Sequence, residues 1–208
     1  MRSLGPLSRA ITALTLVASG CTIAQPTPAT QAPTTSPPIP PVASELTLFP
    51  DGIGPFTVGD DAGTVIEGIT EVVGGWDADS IEEGSAIQVP TCEKGTARVV
   101  SWGSLALVFV TGSSSEIFAS WSYGFDPVTG NSADLRGLDL RTGEDIGLGS
   151  TRGDLVAAYG SRVDITDAFD IQSATFALDG SSDRHLAGKL DAAGPSGVVD
   201  LLQIEPTC

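Results

Sequence analysis

The sequence predicts an α+β fold made of two tandem repeats, each a short helix packed on an antiparallel β-meander. Three observations lead there. Phe56-Thr57-Val58-Gly59, followed by Gly63-Thr64-Val65-Ile66, can be laid on Ile146-Gly147-Leu148-Gly149, followed by Gly153-Asp154-Leu155-Val156, at an offset of 90 residues. Self-similarity of this kind marks repeated structural units. Each run carries helix-start and helix-stop residues, and each is followed by three segments rich in β-branched and aromatic residues with turn residues between them. A chain of 208 residues with 41% hydrophobic content has material for one ordinary domain, or two very small ones, around a packed core.

The segments ahead of the repeats set an address. Arg2 and Arg9 form a positive start, and Ile11 to Ala18 is a short apolar run without charge. It falls well below the roughly 18–20 residues that span a bilayer, so it is expected to be a signal peptide rather than a membrane helix. Ala18-Ser19-Gly20-Cys21 resembles a bacterial lipobox. That resemblance implies a diacylglyceryl group on the Cys21 thiol and cleavage just before it, leaving residues 1–20 as the signal peptide. An ordinary secretory signal with an incidental Cys is the alternative. Acyl chains anchor firmly because each buried methylene contributes about 0.8 kcal/mol. Residues 21–44 are the lipidated Cys and a linker; positions 22–44 hold seven Pro and five Thr and no charge. Such a stretch samples extended polyproline II, and at about 3.1 Å per residue it reaches roughly 70 Å from the membrane. Its Thr/Pro composition also suits O-glycosylation.

The first repeat is expected over residues 45–137. Asp60 or Asp61 can cap a helix whose apolar face is Val65, Ile66, Ile69, Val72 and Val73, with Gly74-Gly75 ending it. Thr96–Trp102, Leu105–Val110 and Ile117–Tyr123 are its strands. The second repeat is expected over 138–208. Thr151 with Asp154 is a capping-box-like start, Leu155, Val156 and Tyr159 sit at helical spacing, and Gly160 suits a stop. Its strands are Ala174–Asp179, His185–Asp191 and Val198–Ile204. Helices this short are marginal alone and must lean on a sheet.

The run from Ile146 to Gly160, apolar-x-apolar-Gly-Ser-Thr-x-x-Asp-Leu-x-x-x-Tyr-Gly, resembles a signature of uncharacterised actinobacterial lipoproteins. It is similar also to the opening helix of the small lipoprotein subunit of the outer-membrane barrel assembly machine. The β-lactamase inhibitory protein uses a tandem repeat of a comparable helix-plus-sheet unit. The likeness covers about residues 45–208, and is weaker in the first helix, where Gly59-Asp60-Asp61 replaces Gly149-Ser150-Thr151. It implies the architecture, and neither barrel assembly nor lactamase inhibition, because one fold hosts several functions.

Charge and cysteines narrow the partners. From Glu45 onward there are 26 acidic residues against eight basic ones, a net charge of -18. That argues against nucleic acid, whose phosphates need basic neutralisation, and disfavours direct adsorption on anionic lipid. With Cys21 lipidated, Cys92 and Cys208 remain as an expected disulfide in an oxidising compartment. The bridge would close a long loop worth about 4–5 kcal/mol by chain entropy; two unpaired thiols are the alternative.

Motifs for chemistry are sparse. There is no Gly-x-Ser-x-Gly elbow, no His-Glu-x-x-His and no Walker Lys. Gly147-Leu148-Gly149-Ser150-Thr151 is best taken as a turn into a helix. His185 is the single His and has no evident nucleophile beside it. Asp164, Asp167 and Asp170 have i, i+3 spacing and would share a helical face, as solvated or capping carboxylates rather than a calcium site. Asp126 to Asn131 is expected to be a turn. No catalytic residue, metal or cofactor is expected.

Trp102, Trp121 and Tyr123 are the possible binding residues. They are either sheet core beneath the first helix or an exposed platform for a protein or glycan. Trp76, beside Gly74-Gly75, is expected to plug the helix–sheet junction. The expected protein is a non-catalytic envelope lipoprotein on the extracytoplasmic face of the cell membrane. It is held through its N-terminal lipid and displays its module to an envelope protein. A small-ligand or wall-glycan binder is the alternative.

Overall fold

Three residue-scale devices organise the chain: capped helix starts, glycine stops, and apolar runs long enough to be buried in strands. The computed structural model describes residues 46–83, 95–111, 115–125, 138–168, 173–178 and 184–206. Three two-residue strands come first, β1 (Leu48–Phe49), β2 (Gly52–Ile53) and β3 (Phe56–Thr57), paired antiparallel in that order. Helix α1 (Ala62–Val73) follows, with Asp61 as its cap accepting from the Thr64 amide at 3.1 Å. Then come β4 (Ala78–Glu83), β5 (Thr96–Trp102), β6 (Leu105–Thr111) and β7 (Glu116–Tyr123). Helix α2 (Arg152–Tyr159) precedes β8 (Val163–Ala168), β9 (Ser173–Leu178), β10 (Arg184–Leu190) and β11 (Val199–Pro206).

The eight longer strands form one antiparallel sheet in the order β4-β5-β6-β7-β11-β10-β9-β8. Its centre is joined by β7 and β11, where Tyr123 pairs with Leu202 and Ser122 with Gln203. The Ser120 hydroxyl adds a bond to the Ile204 carbonyl at 3.3 Å. Strand β6 is buried on both faces from Leu105 to Val110, which is why it reads as an unbroken apolar run. One face carries the main core. Trp102, Leu107, Phe109, Phe118, Trp121, Phe176, Leu186 and Leu202 meet Val65, Ile66 and Ile69 of α1 and Leu155 and Tyr159 of α2 there. Ala97, Val99, Ala106, Val108 and Val110 form a second buried cluster, with Ile117 and Ala119 against it. These residues alternate with the main-core ones along β5 and β6, so they lie on the other face.

The expected fold class is overturned. The protein is mostly β, one eight-stranded antiparallel sheet, one three-stranded sheet and only two short helices, not two α+β repeats. Two causes are visible. The pairing of β7 with β11 merges all eight strands into one sheet. The acidic segments Ala78–Glu83 and Val163–Ala168 are strands at its two ends, where few apolar side chains are needed. Asp164 and Asp167 are thus in β8, not on a helix, and three residues apart in a strand they point to opposite faces. Asp170 lies outside the described residues, as do the leader, the linker, the Asp126–Asn131 turn, and Cys21, Cys92 and Cys208.

Candidate binding groove beside Trp76

The groove is built by the way α1 ends. Gly74 takes φ of 96° and its amide bonds the Thr70 carbonyl at 2.9 Å, closing the helix. Positive φ suits glycine, which lacks a Cβ to clash. Three residues on, the Asp77 amide bonds the Ser101 carbonyl at 2.8 Å, and the Asp77 carboxylate accepts from the Gly103 amide at 2.6 Å. The chain is pinned before and after Trp76, and the indole stands between the anchors with 48% of its surface exposed. Trp76 therefore does not plug the helix–sheet junction. It lines a groove of about 440 Å³ with Gly63, Ile66, Glu67, Thr70 and Glu71 of α1 and Arg98 of β5.

Arg98 is held by two carboxylates. Its Nε and Nη2 donate to the two Asp79 oxygens at 2.8 and 2.7 Å, and its Nη1 donates to Glu116 at 3.1 Å. The hydrogen bond from Arg98 holds the Asp79 carboxyl below the usual aspartate value, and the same bond raises the guanidinium pKa. With that cation paired to two carboxylates, Glu67 and Glu71 set the charge of the groove. They lie four apart and so share a helix face. The Thr70 hydroxyl oxygen is buried there without a hydrogen-bond partner among the described residues. Ile81 of β4 stands opposite Arg98 in the ladder and is 72% exposed.

The three residues singled out in the sequence lie inside the protein. Trp102, Trp121 and Tyr123 are buried in the main core, Trp102 and Trp121 completely. The Trp121 indole donates to the Phe49 carbonyl at 3.1 Å, tying the small sheet to the large one. The Tyr123 hydroxyl donates to the Leu138 carbonyl and accepts from the Leu140 amide. They form no exposed platform. His185 faces Glu205 across the β10–β11 ladder, Nε2 to Oε2 at 3.1 Å. The Gly147–Thr151 run is a turn, with Ser150 Oγ accepting from the Gly147 amide at 3.0 Å. Sequence reasoning placed Trp76 correctly beside the helix stop and missed its exposure; the adjacent Gly74-Gly75 pair, which frees the chain to turn outward, was the available signal.

A second cavity of about 320 Å³ lies among Leu48, Phe49, Tyr159, Arg162, His185 and Leu186. Burial pushes the Tyr159 hydroxyl up to about 12, and it donates to Thr142 Oγ1 at 2.8 Å. Among the described residues no cluster of three His, Cys, Asp or Glu side chains is placed to hold a metal ion, and no helix is long and apolar enough to cross a membrane. Comparison of the chain with protein-family models, curated proteins and solved structures gave no significant match.

Proposed function

We propose that this is a non-catalytic, lipid-anchored protein of the cell envelope that binds another protein through the surface made by α1 and β4. The observation that carries the reading is the exposure of Trp76, which lines the groove with Arg98, and of Ile81, which stands opposite Arg98 in the ladder. Large aromatic and aliphatic groups left in water at one place are the usual anchors of a protein interface. The Cys21 lipid and the Pro/Thr-rich linker would present that surface away from the membrane. A photo-crosslinking amino acid in place of Ile81, used in intact cells, tests it. The expected result is a protein adduct that disappears when Trp76→Ala is added. Adducts with wall polymer and no protein would overturn it. The cavity at Phe49, Tyr159 and His185 favours the second reading, a small-ligand binder, because it joins apolar walls to a few polar groups.

A further inference from the structure

We infer that the partner contributes an extended segment bearing lysine or arginine, which adds to the outer edge of β4 as a further strand and lays a cationic side chain in the Trp76 groove. This rests on the protein-binding reading above and names the chemistry of the partner. Strand β4 ends the sheet, and among the described residues nothing pairs with its outer side. An antiparallel ladder uses the backbone groups of alternate residues, so the remaining N–H and C=O groups of β4 point outward as a template for another strand. Peptides are recognised this way when side-chain pockets beside the edge read their alternate residues.

The side chains beside this edge specify what is read. Asp79, Ile81 and Glu83 share the face that carries Arg98. Arg98 is neutralised by Asp79 and Glu116. Glu67 and Glu71 are exposed carboxylates lining the groove, Glu83 is exposed farther along the same face of β4, and Glu82 is on the other face of that strand. An incoming cation would meet the Trp76 ring and carboxylates together, the combination that favours ammonium and guanidinium groups. Ile81 would be covered by an apolar residue at an alternate position of the added strand. An acidic or glycan ligand lacks the charge match, and a helical one would leave the edge groups of β4 unpaired.

The chain provides its own reporter. Trp102 and Trp121 are fully buried, so Trp76 is the one indole that water and quenchers reach. The full processed chain is titrated with a short peptide alternating lysine and valine, and Trp76 emission is followed. Saturable quenching is expected, weakened about tenfold by Glu67→Gln with Glu71→Gln through loss of the charge-assisted contacts. It is expected to vanish when the same peptide is N-methylated at alternate residues, which removes its ladder donors. Equal binding by the N-methylated peptide would overturn strand addition. Equal binding by a glutamate–valine peptide, or no binding by the lysine peptide, would overturn the charge selection. The Ile81 crosslink separates this from the broader reading. An adduct mapped to an acidic or helical segment of a protein refutes the present inference alone, whereas wall polymer without protein refutes both.

Discussion

Gly188 in the middle of β10 shows how tightly single residues are held. A Cβ there would sit 2.1 Å from the Leu201 carbonyl oxygen and 2.6 Å from the Phe176 ring. The backbone cannot yield without breaking the β10–β11 ladder, so Gly188→Ala is expected to cost about 2–4 kcal/mol in urea unfolding. Tyr159 makes a second residue-scale prediction. Ordinary tyrosine ionises near pH 10, whereas burial holds the Tyr159 proton up to about 12. The raised folded value means that stability is complete below about pH 10 and is lost as pH climbs toward 12. Burial raises Tyr123 as well, and the chain has only these two tyrosines. Ultraviolet titration of the native protein should therefore show tyrosinate later than in the unfolded protein. Tyr159→Phe should remove its share of the alkaline loss while costing about 1 kcal/mol at neutral pH, from the bond to Thr142. An unchanged alkaline profile in that variant would refute the assignment.

Elements were legible where their signals are local. The capping box of α2 is complete: Thr151 Oγ1 accepts from the Asp154 amide, and Asp154 accepts from the Thr151 amide. Both partners lie within four residues, so the sequence displays them. Thr151→Ala should lower stability by about 1 kcal/mol in thermal or urea unfolding. Strand Thr96–Trp102 was also legible, because β-branched and aromatic residues are dense in it and Gly103-Ser104 follows as a turn. The end strands β4 and β8 were not, since an edge strand needs its neighbour's backbone rather than an apolar face of its own. Ion pairs help to hold these edges: Arg98 to Asp79 for β4, and Arg152 to Asp167 for β8. Hydrogen bonds from these arginines lower both aspartate pKa values. The depressed folded values mean that the stability they add is present above the ordinary aspartate range and is lost as pH falls below it. Asp79→Asn should cost about 0.5 kcal/mol, as exposed pairs do, and should speed amide exchange in residues 78–83 more than in β6. Equal exchange in both proteins would show that Arg98 does not hold the edge.

At the scale of the whole molecule the predictions concern its address and its covalent frame. Mass spectrometry of the native protein is expected to find a lipid-modified Cys21 at the N-terminus; a freely secreted, unmodified chain would refute the anchor. Non-reducing peptide mapping is expected to recover Cys92 linked to Cys208, and two alkylatable thiols would reject the bridge.

Capping residues, glycine stops, the apolar strand β6 and the strong acidity could all be taken directly from the order of the amino acids. Each depends on neighbours a few positions away or on composition alone. The union of eight strands in one sheet and the fates of the aromatic residues could not. They depend on β7 meeting β11 across 80 or so residues of chain, a pairing whose reward is spread over many weak contacts. That distant pairing belongs to the same sheet that buries Trp121 and Tyr123, while two nearby backbone bonds leave Trp76 in water at the edge.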